Sequence, residues 1–234
     1  EQYKDSILMY RLGDFYEMFF DDALIASKVL EITLTGRDCG QEERAPMCGV
    51  PFHSADSYIA RLVAKGYKVA ICEQLEDPAL AKGIVKRDVT RVLTPGTVIE
   101  STMLDESKNN FLACVFADKS CVGLCFADIS TGSVHATQFE RKNSQRKIIN
   151  ELGRFSPSEI IINSAVLELS EVTDFVKNRL RSACDLLDDE CFDLSKASAS
   201  VIKYFKVSSL SDLSLDGSEG AIIAVGATMD YLKG

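Results

Sequence analysis

Within Gly13-Asp14-Phe15-Tyr16-Glu17-Met18-Phe19 an aromatic ring and a carboxylate stand two residues apart, directly after a glycine that ends an apolar strand pattern. Side chains of an extended segment repeat direction every two residues, so Phe15 and Glu17 project together. Exposed, the pair is an apolar wedge beside a hydrogen-bonding probe, the combination with which minor-groove proteins enter and kink a duplex. Buried, Phe15 is one more core ring, as aromatics usually are. Spacing alone leaves both readings open. Phe19 and Phe20 follow and are available to fill the core in its place.

A second chemistry is conceivable further along. Asp118 and Asp128 sit at the ends of apolar runs, with Asp188 or Asp189 as further carboxylates, and such a set could hold the two metal ions of a nuclease. Acidic residues at hairpin corners explain the same pattern as turn formers. The chain has no GxxxxGK[ST] phosphate loop and no strand-GxGxxG-helix fingerprint, which leaves it no recognisable nucleotide site. Eight cysteines without a CxxC, and only two histidines, argue against zinc. Cys72 and Cys114 lie inside apolar runs, as reduced thiols do in the core of a cytoplasmic protein.

The net charge of −9 excludes a protein that coats nucleic acid by bulk electrostatics. Any such contact must be local. Lys82, Lys86, Arg87 and Arg91 oppose only Asp88 and form one basic island, suited either to phosphate or to a solvated strand face. No apolar stretch approaches the roughly 18 residues of a membrane span. Hydrophobic residues at 46% and charged ones at 26% suit a packed protein, and 234 residues suit two small domains. The chain opens on Glu1 and closes in an apparent helix at Tyr231-Leu232-Lys233-Gly234, which suggests a fragment of something longer.

The elements that must position these residues read as follows. Strand Ile7 to Leu12 precedes a helix from Asp21 to Leu30, whose leading carboxylates suit the helix dipole. Strand Ile32 to Thr35, a loop Gly36 to Ala45, a helix capped by Ser54 and ended by Gly66, and strands Tyr67 to Leu75 and Val85 to Leu93 complete an α/β first half. The polar stretch from Glu100 to Asn110 is the domain boundary. Beyond it, Phe111 to Ala117, Cys121 to Ile129 and Val134 to Phe139 form an antiparallel meander, because the intervening turns are short. Helices then alternate with strands: helix Ser144 to Leu152, strand Glu159 to Asn163, helix Leu167 to Arg181, strand Cys184 to Leu187, and helices Lys196 to Phe205 and Gly220 to Leu232. That is the element order of ribonuclease H-like folds, an analogy of fold alone.

Five motifs in order carry a resemblance. They are Gly13-Asp14-Phe15-Tyr16-Glu17-Met18-Phe19-Phe20-Asp21-Asp22-Ala23, Ile32-Thr33-Leu34-Thr35, Pro46-Met47-Cys48-Gly49-Val50-Pro51-Phe52-His53, Val69-Ala70-Ile71-Cys72-Glu73-Gln74 and Leu93-Thr94-Pro95-Gly96-Thr97. Together they closely resemble the amino-terminal part of the MutS family of DNA mismatch-recognition proteins. The second half is similar to the family's connector domain, best at Phe126-Ala127-Asp128-Ile129-Ser130-Thr131-Gly132. Departures are mild: Met18 where Leu is commoner, Cys48 where Ala is commoner, and extra cysteines.

The resemblance implies a mixed-sheet mismatch-recognition domain over residues 1–98, a linker at 99–106 and a ribonuclease H-like connector without catalysis over 107–234. It implies that Phe15 stacks on a mismatched or unpaired base, that Glu17 hydrogen-bonds it, and that Tyr16 and Arg37 share the DNA-binding surface, Arg37 on the backbone. It implies ATP and Mg only in an ATPase domain outside this chain, so no cofactor and no enzyme activity here. It also implies MutL as a partner through the connector, a homodimer in the full-length protein, and a cytoplasmic setting. Two rival readings are a metal-dependent nuclease on the second half and a protein-interaction module with no role on DNA.

Overall fold

A computed structural model describes residues 3–40, 43–76, 83, 85–98 and 108–233. The chain divides into two compact units, Glu1–Leu104 and Asp105–Gly234. The expected linker at 99–106 lies outside the described residues.

The first unit is a six-stranded mixed sheet with helices on one face. β1 (Ser6–Leu12) turns through Gly13-Asp14 into β2 (Phe15–Phe19), and Leu12 pairs with Phe15 across that two-residue turn. Gly13 has a φ of 58°, the left-handed geometry that such tight hairpins need. α1 (Phe20–Leu30) follows, then β3 (Thr35–Arg37), β4 (Ala45–Pro51), α2 (Ala55–Ala64), β5 (Lys68–Gln74) and β6 (Arg87–Leu93). The strand order is β3-β4-β2-β1-β5-β6, with β1 and β5 parallel and the other pairs antiparallel. Ile7, Met9, Tyr16, Met18, Cys48, Val50, Val69 and Ile71 alternate onto the helix side. There they bury against Ala23, Ala26 and Leu30 of α1 and Ile59, Leu62 and Val63 of α2. Where β2 stops short of pairing Leu8, the Asp22 side chain of α1 accepts the Leu8 N–H at 3.0 Å. Burial holds the Asp22 carboxyl above its usual range.

Several local expectations are corrected. The third strand begins at Thr35, not Ile32, because α1 exits through Glu31 at φ 56° and the Ile32 amide folds back onto the Ser27 carbonyl. β4 runs through a stretch that Pro46, Gly49 and Pro51 make look like loop. Its prolines sit near the strand's ends, where a missing donor costs little. Ser54 stands at the start of α2, but its hydroxyl donates to the Pro51 carbonyl at 3.3 Å and does not cap the helix. Phe19 and Phe20 do not fill the core: Tyr16 and Met18 do, while Phe20 lies largely in solvent.

The second unit is a five-stranded sheet in the order β11-β10-β7-β8-β9. β7 (Phe111–Ala117), β8 (Cys121–Asp128) and β9 (Ser133–Glu140) form the antiparallel meander, and β10 (Glu159–Ile162) and β11 (Ala183–Leu186) add in parallel beyond β7. This is a ribonuclease H-like sheet. β7 and β8 are apolar almost throughout because both faces are covered. α3 (Gln145–Phe155) and α4 (Ser170–Phe175) pack on one face, α5 (Leu194–Phe205) and α6 (Glu219–Tyr231) on the other. The single long helix expected from Leu167 to Arg181 is broken into a 3-10 turn at Ser164–Glu168, α4, and one π turn at Val176–Leu180. Beyond β10, the Asn163 side-chain amide gives to the Ala117 carbonyl and takes from the Ala117 N–H, both at 2.9 Å, extending the ladder by one rung.

Cys48, Cys72, Cys114 and Cys125 are buried, while Cys39, Cys184 and Cys191 are exposed. Burial pushes the Cys48 thiol up to about 11 and the Cys125 thiol up to about 12. These thiols stay protonated and act as small apolar side chains.

The contact of α6 with β8 depends on two glycines. A Cβ on Gly123 would stand 1.9 Å from the Gly220 carbonyl oxygen, which is backbone and cannot yield. Gly123→Ala is therefore expected to destabilise this unit by about 3 kcal/mol. Gly153→Ala, inside α3 where a Cβ meets only the Phe175 ring at 3.6 Å, is expected to stabilise by up to about 1 kcal/mol. Urea denaturation of the 234-residue chain reads both signs.

Candidate nucleic-acid interface

The Gly13-Asp14 corner is fixed mainly through backbone atoms. The Asp14 carbonyl accepts the Phe52 N–H at 2.8 Å, and Arg11 Nε donates to the Gly13 carbonyl at 2.6 Å. The Arg11 guanidinium lies 3.4 Å from the centre of the Phe52 ring, a stacked cation-π contact. β2 therefore leaves this corner in a defined register, with Phe15 opposite Pro51 and Glu17 opposite both Tyr10 and Gly49.

Alternation along β2 then sorts its side chains. Tyr16 is 5% exposed and Met18 is fully buried, on the helix side. Phe15, on the other side, is 46% exposed. Among the described residues no helix of this unit covers that second face. Glu17 shares it and forms an ion pair with Arg37 of β3, whose guanidinium lies 5.9 Å from the Phe19 ring centre. Gly49, opposite Glu17, packs close against β2: a Cβ there would stand 3.3 Å from the Tyr16 carbonyl oxygen.

The structure thus brings three of the four expected residues, Phe15, Glu17 and Arg37, onto one face and separates Tyr16 from them. The Tyr16 hydroxyl donates to the Glu73 carboxylate, and its ring packs 5.9 Å from that of Phe52. Burial, with the neighbouring Glu73 charge, raises the phenol well above its ordinary value, so it remains a donor. Tyr16 supports the face from behind. Sequence reasoning missed Arg11, Gly49 and Phe52, although each lies within or beside one of the five motifs. Of the basic island, Arg87 lies over the Tyr10 ring at 5.2 Å and donates to the Arg11 carbonyl at 3.0 Å. Lys82 lies outside the described residues.

The acids of the second unit do not converge. Asp118 follows β7 and Asp128 ends β8, so they stand at opposite ends of one hairpin. The seven residues of β7 separate them by about 20 Å, against about 4 Å between the ions of a two-metal site. Asp118 Oδ1 accepts the Ser120 and Cys121 N–H groups, both at 2.7 Å. Asp128 Oδ1 accepts the Ser130 N–H at 2.9 Å, and Asp189 accepts the Ser164 hydroxyl at 2.8 Å. Asp188 only leads into the turn Asp189–Phe192. Asp128 differs from a solvated corner in being buried. No cluster that could hold a metal ion occurs among the described residues.

Fold and site define a two-module α/β chain: a mixed sheet presenting an aromatic, a carboxylate and a guanidinium on a helix-free face, followed by a ribonuclease H-like module. Residues 1–102 match the family described as MutS domain I and residues 110–234 match MutS domain II, so the chain belongs to the MutS family. It is 53% identical to the DNA mismatch repair protein MutS of Ruminiclostridium cellulolyticum, over 100% of this chain and 26% of that protein. It is 52% identical to that of Acetivibrio thermocellus, over 100% of this chain and 26% of that protein. The chain thus spans about a quarter of the length of these relatives. A Thermus thermophilus RuvC structure is similar at a TM-score of 0.37 and 11% identity, over 53% of this chain and 96% of that one.

Burial divides β2 into two stability classes. Phe15→Ala is expected to leave the melting temperature nearly unchanged, whereas Met18→Ala is expected to cost about 3 kcal/mol through the cavity it opens. Thermal unfolding of the two variants without DNA separates an exposed ring from a core one.

Proposed function

We propose that the helix-free face of the first unit reads mismatched or unpaired bases in duplex DNA, with Phe15 as the wedge that enters from the minor groove and Glu17 as the group that hydrogen-bonds the displaced base. The observation that carries this reading is the exposure of Phe15 beside Glu17 while their neighbours Tyr16 and Met18 are buried. A mismatch lowers the cost of unstacking, so a wedge that kinks the duplex discriminates by deformability and not by a base code. Glu17 discriminates in the same direction, since a carboxylate among phosphates is repelled unless a distorted base offers it a hydrogen bond. Arg37 supplies a phosphate contact in the mismatched complex. Tyr16 acts through packing.

The second unit serves as a connector that relays between this face and an ATPase domain outside the chain, and it offers a docking surface for MutL. ATP and Mg act in that ATPase domain, and the full-length protein works as a homodimer. The match to domains I and II alone leaves the ATPase domain outside these residues. No described helix is long and apolar enough to cross a membrane, and the eight free thiols suit a reducing cytoplasm.

In the full-length protein, Phe15→Ala is expected to abolish the preference for mismatched over perfectly paired duplex. Glu17→Gln is expected to strengthen binding to perfectly paired DNA and narrow the gap. Fluorescence anisotropy with matched and mismatched duplexes at one fixed salt concentration measures both. A Phe15→Ala protein that keeps its mismatch preference overturns the reading.

A further inference from the structure

We propose that Arg37 is a specificity-determining residue that acts through Glu17: it masks the carboxylate while DNA is absent or undistorted and releases it when a phosphate takes the guanidinium. The inference rests on the assignment of the helix-free face to DNA. It starts from the position of the pair. Arg37 lies on β3 and Glu17 on β2, with β4 between them in the sheet, so the ion pair reaches across a whole strand. Gly49 stands opposite Glu17 on β4, between the two partner strands.

Exposure differs between the partners. The Arg37 side chain is 49% exposed and that of Glu17 only 19%. A phosphate approaching this face can reach the guanidinium, while the carboxylate is largely shielded. Guanidinium groups bind carboxylate and phosphate with the same forked geometry, so the two anions compete for one cation. On an undistorted duplex the pair stays closed, which lessens the repulsion between the carboxylate and the phosphates without abolishing it. When Phe15 enters a mismatch, Arg37 moves to the backbone. Glu17 then loses its counter-ion two residues from the wedge, free to turn to the unstacked base.

This role differs measurably from that of a guanidinium that only binds phosphate. Were Arg37 to hold a phosphate in both complexes, its removal would weaken matched and mismatched binding equally. Were it to do so only in the mismatched complex, its removal would narrow discrimination. Removing a mask does the reverse. Arg37→Ala leaves an uncompensated carboxylate facing the phosphates of matched DNA, while the mismatched complex gives up a phosphate interaction but no longer has to break the ion pair. The ratio of matched to mismatched Kd is therefore expected to rise by about threefold, the range of a half-exposed ion pair. Arg37→Lys keeps the charge and is expected to hold the ratio near the unaltered value. In a Glu17→Gln background Arg37→Ala is expected to leave the ratio unchanged, so the two substitutions are non-additive.

The experiment is this double-mutant cycle in the full-length protein, read by anisotropy with matched and mismatched duplexes at low and physiological salt, with Phe15→Ala in parallel and thermal melts of every variant. A widened ratio in Arg37→Ala that disappears in the Glu17→Gln background supports the mask. An unchanged or narrowed ratio, or the same change in both backgrounds, overturns it. If Phe15→Ala abolishes mismatch preference while the cycle is additive, only the masking role fails. If Phe15→Ala keeps the preference, the assignment of the face to DNA fails first.

Discussion

The candidate site depends on the burial of Tyr16 and Met18. With those two side chains locked among Met9, Cys48 and Val50, the period of a strand compels Phe15, Glu17 and Phe19 to face the other way. Moving the register by one residue would exchange the two sets and put a carboxylate into the core, an exchange that the cost of burying a charge forbids. An exposed phenylalanine is normally a loss of hydrophobic stabilisation. Here it is a by-product of a register fixed from the opposite face, and the core on that face holds it there.

The second unit solves a different problem. Its central strands are buried on both sides, so it gains stability from two cores. Its buried polar side chains include Glu159 on the inner strand β10 and Thr228 on α6. At its turns Asp118 Oδ1 and Asp128 Oδ1 accept backbone N–H groups, while the buried Asp128 Oδ2 has no hydrogen-bond partner. The Tyr231 hydroxyl of α6 stands 2.6 Å from a Glu159 carboxylate oxygen on β10 and 3.0 Å from one of Asp185 on β11, tying the final helix to two parallel strands.

Much of this was legible in the sequence. The meander is visible because its strands are apolar and its turns short, α1 because carboxylates lead it, and α2 because Leu62 and Val63 mark its buried face and Gly66 follows its end. β4 was hidden by Pro46 and Pro51, whose turn signal outweighs a strand pattern unless the neighbouring strands are known. The π turn after α4 left no mark, since Val176 and Leu180 continue a helical pattern. At the site, spacing alone put Phe15 and Glu17 on one side but could not say whether that side was covered. The resemblance grouped Tyr16 with them, although the same period of two sends it to the core. The Glu17 to Arg37 contact depends on the order β3-β4-β2, which no local pattern contains.

The corner itself offers one more consequence. Gly13 and Asp14 are held through their carbonyl oxygens, by Arg11 and by the Phe52 amide. The Asp14 side chain points into solvent and takes no part in that bracing. Position 14 is thus geometrically fixed yet chemically vacant, next to the ring that would meet a base. An environment-sensitive fluorophore carried there would ride on a braced mount within one residue of Phe15, turning the hairpin tip into an optical reporter of what that ring touches.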